Sequence, residues 1–259
     1  MKVLRYSAVL LCILIFAHSL WASPPIGAVV QTWHYDPLTN SVTLKIVNTS
    51  HKDITAFNIA IKETYADGRV EEHEMLEELV GKILAAKEVQ GTPQEEFFRK
   101  QFGDGAFHPG EVRDEKLGVQ PGLTNYQAVI DVVTYIDGTA EATNNDALQR
   151  IVDERKAAVA SKKMASDIIK SALGDPSDAA PSVTAARKIQ DQATVWRTRS
   201  HTSIDLDPVV LESLAAELRA VSSHSINKRD ALKQIADRED AKISILAIHA
   251  AVVKTGGPQ

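Results

Sequence analysis

Residues 41–65 read SVTLKIVNTSHKDITAFNIAIKETY and are followed by Ala66-Asp67-Gly68. Val42, Leu44 and Ile46 alternate with Thr43, Lys45 and Val47, and Phe57, Ile59 and Ile61 alternate with Asn58, Ala60 and Lys62. A period of two sends one set of side chains to a buried face and the other toward water, so both segments are predicted to be strands. Residues 48–53 between them are polar, as a connecting turn should be. A strand pair of this kind must bury its apolar face on a further layer.

Outward from this pair, residues 28–35 (AVVQTWHY) predict an earlier strand, and residues 36–40 (DPLTN) are turn material. Residues 112–119 and 126–136 predict two later strands, the second rich in β-branched residues and closed by Asp137-Gly138-Thr139. Short strands separated by turn signals predict an antiparallel β-sandwich. Asn48-Thr49-Ser50 fits a glycosylation acceptor, and equally a turn.

The turn chemistry carries a resemblance. Asn48-Thr49-Ser50, an alternating strand, Tyr65-Ala66-Asp67-Gly68, and Pro109-Gly110-Glu111 before a further strand are similar to exported bacterial immunoglobulin-like modules, the FxLYD-type group among them. The likeness spans residues 28–140 and departs from the pattern by about forty residues inserted between Gly68 and Pro109. It implies a non-catalytic immunoglobulin-like β-sandwich and carries over no functional residues.

The insertion, about residues 70–103, is expected to be helical. Met75, Leu79 and Ile83 recur every four residues, and Glu71, Glu72, Glu74, Glu77 and Glu78 suit the positive end of a helix. Thr92-Pro93-Gln94-Glu95 reads as a capping box with proline at the first helical position, opening a helix that stops at Gly103.

Residues 141–259 predict an all-α domain. Thr143 or Asp146 caps a helix running to Leu173, Gly174-Asp175-Pro176 ends it, and a second helix covers about residues 182–199. Asp207-Pro208 opens a third, and Asn227 opens a fourth that ends before Gly256-Gly257-Pro258. Four helices with short connections suggest a bundle. The fold class is therefore α+β, with a sandwich domain over residues 23–140 and a helical domain over residues 141–259. Charge divides at the same place, with ten basic and eighteen acidic residues in 23–140 against seventeen and sixteen in 141–259.

The start of the chain bears on location. Lys2 and Arg5 precede an apolar run over residues 8–16, and small residues follow at Ala17, Ser19, Ala22 and Ser23. This is the pattern of a secretory signal peptide over residues 1–22, cleaved after Ala22 or after Ser19, with an uncleaved anchor as the alternative. Cys12 is the single cysteine and lies within the apolar run, not at its end, so lipidation is not expected. The expected location is outside the cytoplasm, periplasmic or extracellular. The remaining chain can form no disulfide and no thiolate site.

Motifs for nucleotide binding, an acyl-transfer nucleophile, a zinc protease or an EF-hand are absent. No cofactor, metal, catalytic residue or nucleic-acid partner is expected, and no transmembrane segment follows the leader. His73 and Glu77 have the spacing of two metal ligands on a helix but lack a third and fourth. His249 is read as satisfied at the edge of a helix face, and Arg155, Lys156, Lys162 and Lys163 as a solvated helix face. Trp33 and Trp196 are read as core.

The remaining concentration of chemistry is aromatic. Phe97, Phe98, Phe102 and Phe107 fall within eleven residues of the insertion. They are the candidate binding residues, for a protein partner or an apolar ligand. Phe98 and Phe102 share a helix face and are expected to plug one end of the sandwich; Phe97 and Phe107 are the expected exposed pair. The functional expectation is an exported, non-catalytic binding or assembly protein. The alternative is an extracytoplasmic hydrolase using Glu and His side chains of the insertion.

Overall fold

The computed structural model describes residues 26–198, 208–224 and 227–255. Residues 1–25, which include the expected signal peptide, and the side chains of Phe102 and Trp196 lie outside the described residues. The chain is a mixed α and β structure. Its strands are β1 (Ala28–Asp36), β2 (Ser41–Asn48), β3 (Ile54–Tyr65), β4 (Val70–Glu78), β5 (Val112–Gly118), β6 (Leu123–Tyr135), β7 (Thr139–Ala142) and β8 (Val253–Lys254). Its helices are α1 (Val80–Val89), α2 (Glu95–Phe102), α3 (Asn145–Gly174), α4 (Pro181–Thr198), α5 (Pro208–His224) and α6 (Lys228–Ala250).

The strands form two sheets, ordered β1-β2-β5 and β4-β3-β6-β7-β8, antiparallel except where β7 meets β8. One apolar cluster draws on both: Val42, Leu44 and Ile46 from β2 with Phe57, Ile59 and Ile61 from β3 and Ile130, Val133 and Tyr135 from β6. Full burial of such a side chain stabilises by ~1.5–3 kcal/mol, so this alternation is the main reason these strands form. The opposite face of β3 and β6 is used as well. Ala56 and Val132 pack on Ala147 and Ile151 of α3.

Asn48 ends β2 fully buried, its amide donating to Lys52 O (2.9 Å) and Phe107 O (2.7 Å) and its carbonyl accepting from Ser50 N–H (2.9 Å). The turn reading of Asn48-Thr49-Ser50 is the one this geometry serves.

Residues 70–78 depart from the sequence expectation: they are strand, not helix. The Ala66-Asp67-Gly68 turn, with Gly68 at φ +83°, returns the chain beside β3, and nine residues pair from Thr64↔Val70 to Ala56↔Glu78. A recurrence of four fits a period of two as well as one of 3.6, so Met75 and Leu79 could not distinguish them. The helical part of the insertion starts only at Val80.

The four later helices lie close to their expected limits. Asn144 is the cap of α3, its side chain accepting from Ala147 N–H (3.0 Å), between the two expected candidates. Asn227 caps α6 in the same way. Ala165, Ile169, Ala185, Ile189, Leu211, Leu218 and Leu232 bring all four helices into one core. Its many alanines let the helix backbones approach closely.

α6 ends sooner than expected, at Ala250, and Val253 and Lys254 then pair in parallel with Thr139 and Ala140 of β7. Among the described residues no helix is long and apolar enough to cross a membrane.

Candidate binding cleft

The helical part of the insertion is anchored at its first turn. Leu79 is fully buried and donates its backbone N–H to Thr55 O (2.8 Å), while Glu78 accepts from Val80 N–H (2.9 Å). Val80 and Leu84 then pack on Leu246 of α6. This leaves Ile83, Ala86 and Val89 facing a cleft of about 240 Å³, closed on the other sides by Phe98 of α2 and by Ile136.

α2 is joined to α1 by a turn at Gly91 (φ +76°). The expected capping box is displaced. The helix begins at Glu95, Thr92 Oγ1 accepts from Gln94 N–H (3.3 Å), and the Glu95 carboxylate reaches back to Gly91 N–H (2.6 Å), not to Thr92. Glu95 also pairs with Arg99 (2.7 Å). Gly103 (φ +63°) ends α2, donating to Arg99 O (2.9 Å). Two residues on, a Cβ at Gly105 would lie 2.4 Å from Ile83 N, so only glycine allows the chain to pass this close to α1.

The candidate phenylalanines part company here. Phe97 is 71% exposed, as expected, and Phe98 is half-buried against the cleft. Phe107 corrects the expectation, because it is fully buried. Ile54 and Phe107 exchange both backbone hydrogen bonds (3.0 and 3.2 Å), which turns the ring inward onto Phe57, with centroids 6.0 Å apart. The Arg113 guanidinium covers its other side at 4.7 Å. Phe107 is core and not a binding residue.

Beside the cleft, His108 stands between two carboxylates that line it. Nδ1 lies 2.8 Å from Asp53 Oδ1 and Nε2 lies 2.9 Å from Asp104 Oδ1. Ionised carboxylates only accept, so this arrangement favours the doubly protonated ring, which can donate from both nitrogens. Its pKa is raised accordingly, chiefly by the Asp53 hydrogen bond, against a lowering from partial burial. The sequence offered no signal for this triplet, whose members are 53, 104 and 108.

The His73 and Glu77 pair is placed apart. His73 and Glu77 lie on β4, where four residues span ~13 Å. His73 Nε2 is 3.7 Å from Glu63, and Glu77 is paired with Lys82 (2.5 Å). Among the described residues no group of three or more His, Cys, Asp or Glu side chains is placed to hold a metal ion.

Three polar readings are corrected. Arg155 is buried, not solvated, and ties α3 to Glu78, Thr134, Thr55 and the backbone of His249. Lys162 from the same run is largely buried against Glu239 (2.7 Å). His249 is buried rather than at an edge, and its Nδ1 lacks a hydrogen-bond partner among the described residues. Burial, with the Arg155 and Lys87 cations nearby, lowers its pKa to about 4 and keeps it neutral. Trp33, expected in the core, is 43% exposed and lies against Tyr126 with centroids 5.6 Å apart.

No family model matches the chain, and no curated protein matches it. Among solved structures it is similar to a hypothetical protein from Peptoclostridium difficile 630, at 14% identity and a TM-score of 0.28. The match covers 49% of this chain and 90% of that one. A likeness at that score carries no argument, and the reading of the cleft rests on its own geometry.

Proposed function

We propose that this chain is an exported, non-catalytic binding or assembly protein. In this reading an immunoglobulin-like antiparallel β-sandwich carries an inserted helical hairpin and is followed by an all-α domain, and the hairpin holds an apolar ligand or an apolar segment of a partner. The observation that carries it is the cleft, with its apolar floor of Ile83, Ala86 and Val89 and the Phe98 wall. The core shared by the two sheets supports the sandwich. The exposed ring of Phe97 on the same short helix supports a contact surface there. The hydrolase alternative needs His73 and Glu77 to act together, and their separation along β4 works against it.

The test uses 1-anilinonaphthalene-8-sulfonate as an apolar probe, titrated against the protein by fluorescence. Phe98→Ala is expected to weaken binding about tenfold or more, since loss of an aromatic anchor of ~1.4 kcal/mol or more has that effect. Equal affinity of wild type and variant would remove the cleft as the binding site. Recovery of the protein outside the cytoplasm with an amino terminus at Ser23 is the matching expectation for export; an intact Met1 there would refute it.

A further inference from the structure

We propose that the end of α6 and strand β8 are a strap across the β7 edge, released in acid when the buried ring of His249 takes up a proton. The ring cannot carry a charge where it lies. His249 is 3% exposed, and its Nδ1 lacks a hydrogen-bond partner among the described residues. Its backbone is held by the Arg155 guanidinium, whose Nη1 donates to His249 O (3.1 Å). A proton on the ring would set an imidazolium beside a buried guanidinium, with an N–H that meets no acceptor.

The charges on the surrounding elements do not relieve this. Lys87 of α1 acts on the ring as a second cation. Glu78, at the end of β4, is held by Arg155 Nε (2.8 Å) and Nη2 (3.2 Å). Glu88 of α1 is taken by Arg238 (3.1 Å) and Lys242 (2.7 Å). The β6–β7 turn approaches α6 so closely that a Cβ at Gly138 would lie 3.4 Å from Ile248 O, and there Asp137 pairs with Lys52 (2.7 Å). Burial first, then Arg155 and Lys87, accordingly hold the ring neutral.

The ring's way out is local. Past Ala250, the residues Ala251, Val253, Lys254 and Thr255 are exposed and Val252 is half-buried. Polar bonds hold this stretch down. Val253 N–H donates to Gly138 O (2.9 Å), Thr255 N–H to Ala140 O (2.9 Å), and Lys254 Nζ to Asn145 Oδ1 (2.8 Å). A segment with so little apolar burial opens at small cost. Unwinding the last turn of α6 brings the ring to water, where it takes the proton freely. β8 is the outer strand of its sheet, so its departure bares the β7 backbone for pairing with another strand.

The proposal is tested on the full chain with a nitroxide at Val253→Cys, in a Cys12→Ser background that removes the other thiol. Val253 is 64% exposed, so the label itself disturbs little. The buried ring's pKa of about 4 lies below the ordinary 6.5, so the closed strap is fully favoured above 6.5 and weakens as pH falls toward 4. From pH 7 to pH 5 the ratio of mobile to immobile label is expected to rise roughly twentyfold. That range stays above ~4, where ordinary carboxylates titrate. His249→Gln, which cannot take the proton, should show no rise. Lys87→Glu, a surface change that keeps the ring and gives it an anion for a neighbour, should cut the rise severalfold. A wild-type label that ignores pH, or a rise undiminished in either variant, overturns the strap. The label needs no ligand, so the outcome does not depend on the cleft.

Discussion

Truncating Arg155 to alanine is expected to cost the folded protein about 3 kcal/mol, because it strips the partners from a buried crossing point. The guanidinium is 2% exposed. Nε donates to Glu78 Oε2 (2.8 Å) and Nη2 to Glu78 Oε1 (3.2 Å). Nη1 donates to His249 O (3.1 Å), and Nη2 to Thr134 Oγ1 (2.9 Å) and Thr55 Oγ1 (3.3 Å). One side chain of α3 thus holds the end of β4, the facing positions of β3 and β6, and the last turn of α6.

Breaking a buried pair by removing one partner costs ~3–5 kcal/mol. Glu78 keeps partial access to water, with its side chain 29% exposed, which places the loss at the low end. For a chain of this size each kcal/mol lowers the melting temperature by roughly 2–4 °C, so a drop of about 6–12 °C is expected. Arg155→Lys keeps the charge without the planar fork and should recover only part of it. Calorimetric melts of Arg155→Ala, Glu78→Gln and the double variant decide the matter. Additive losses, or an Arg155→Ala melt within 2 °C of wild type, would show that this crossing point is not what joins the helices to the sheet.

The sequence announced what is local and concealed what is not. Val42, Leu44 and Ile46 are all fully buried, because strand alternation is written into neighbouring residues. The end of α3 at Gly174 and the cap of α6 at Asn227 were equally legible from stop and cap chemistry. Residues 70–78 were not, since the decision between strand and helix lay with the hairpin partner β3 rather than with their own spacing.

Arg155 shows the same limit more sharply. Beside Lys156 in a charged run it has the composition of a wet helix face, and its partner Glu78 is 77 residues away. In the candidate cleft, the exposed position of Phe97 was legible, whereas Phe98, expected to plug the sandwich, lines the cleft half-buried. The triplet Asp53, Asp104 and His108 was not legible, because Asp53 reaches His108 across 55 residues of sequence, beside the Ile54–Phe107 pairing.

Phe107 is where that docking can be measured. The ring is fully buried between Phe57 and the Arg113 guanidinium, within the apolar cluster shared by the two sheets. Phe107→Ala removes the transfer free energy of the ring and leaves a cavity that the flanking backbone bonds prevent from closing, a loss of ~3–5 kcal/mol. The expected fall in melting temperature is roughly 6–20 °C. Phe97→Ala, ten residues earlier and 71% exposed, should change stability by no more than ~0.5 kcal/mol. The contrast is informative because composition treats the two residues alike. A Phe107→Ala protein that melts with the wild type would place the ring at the surface and overturn its assignment to the core shared by the two sheets.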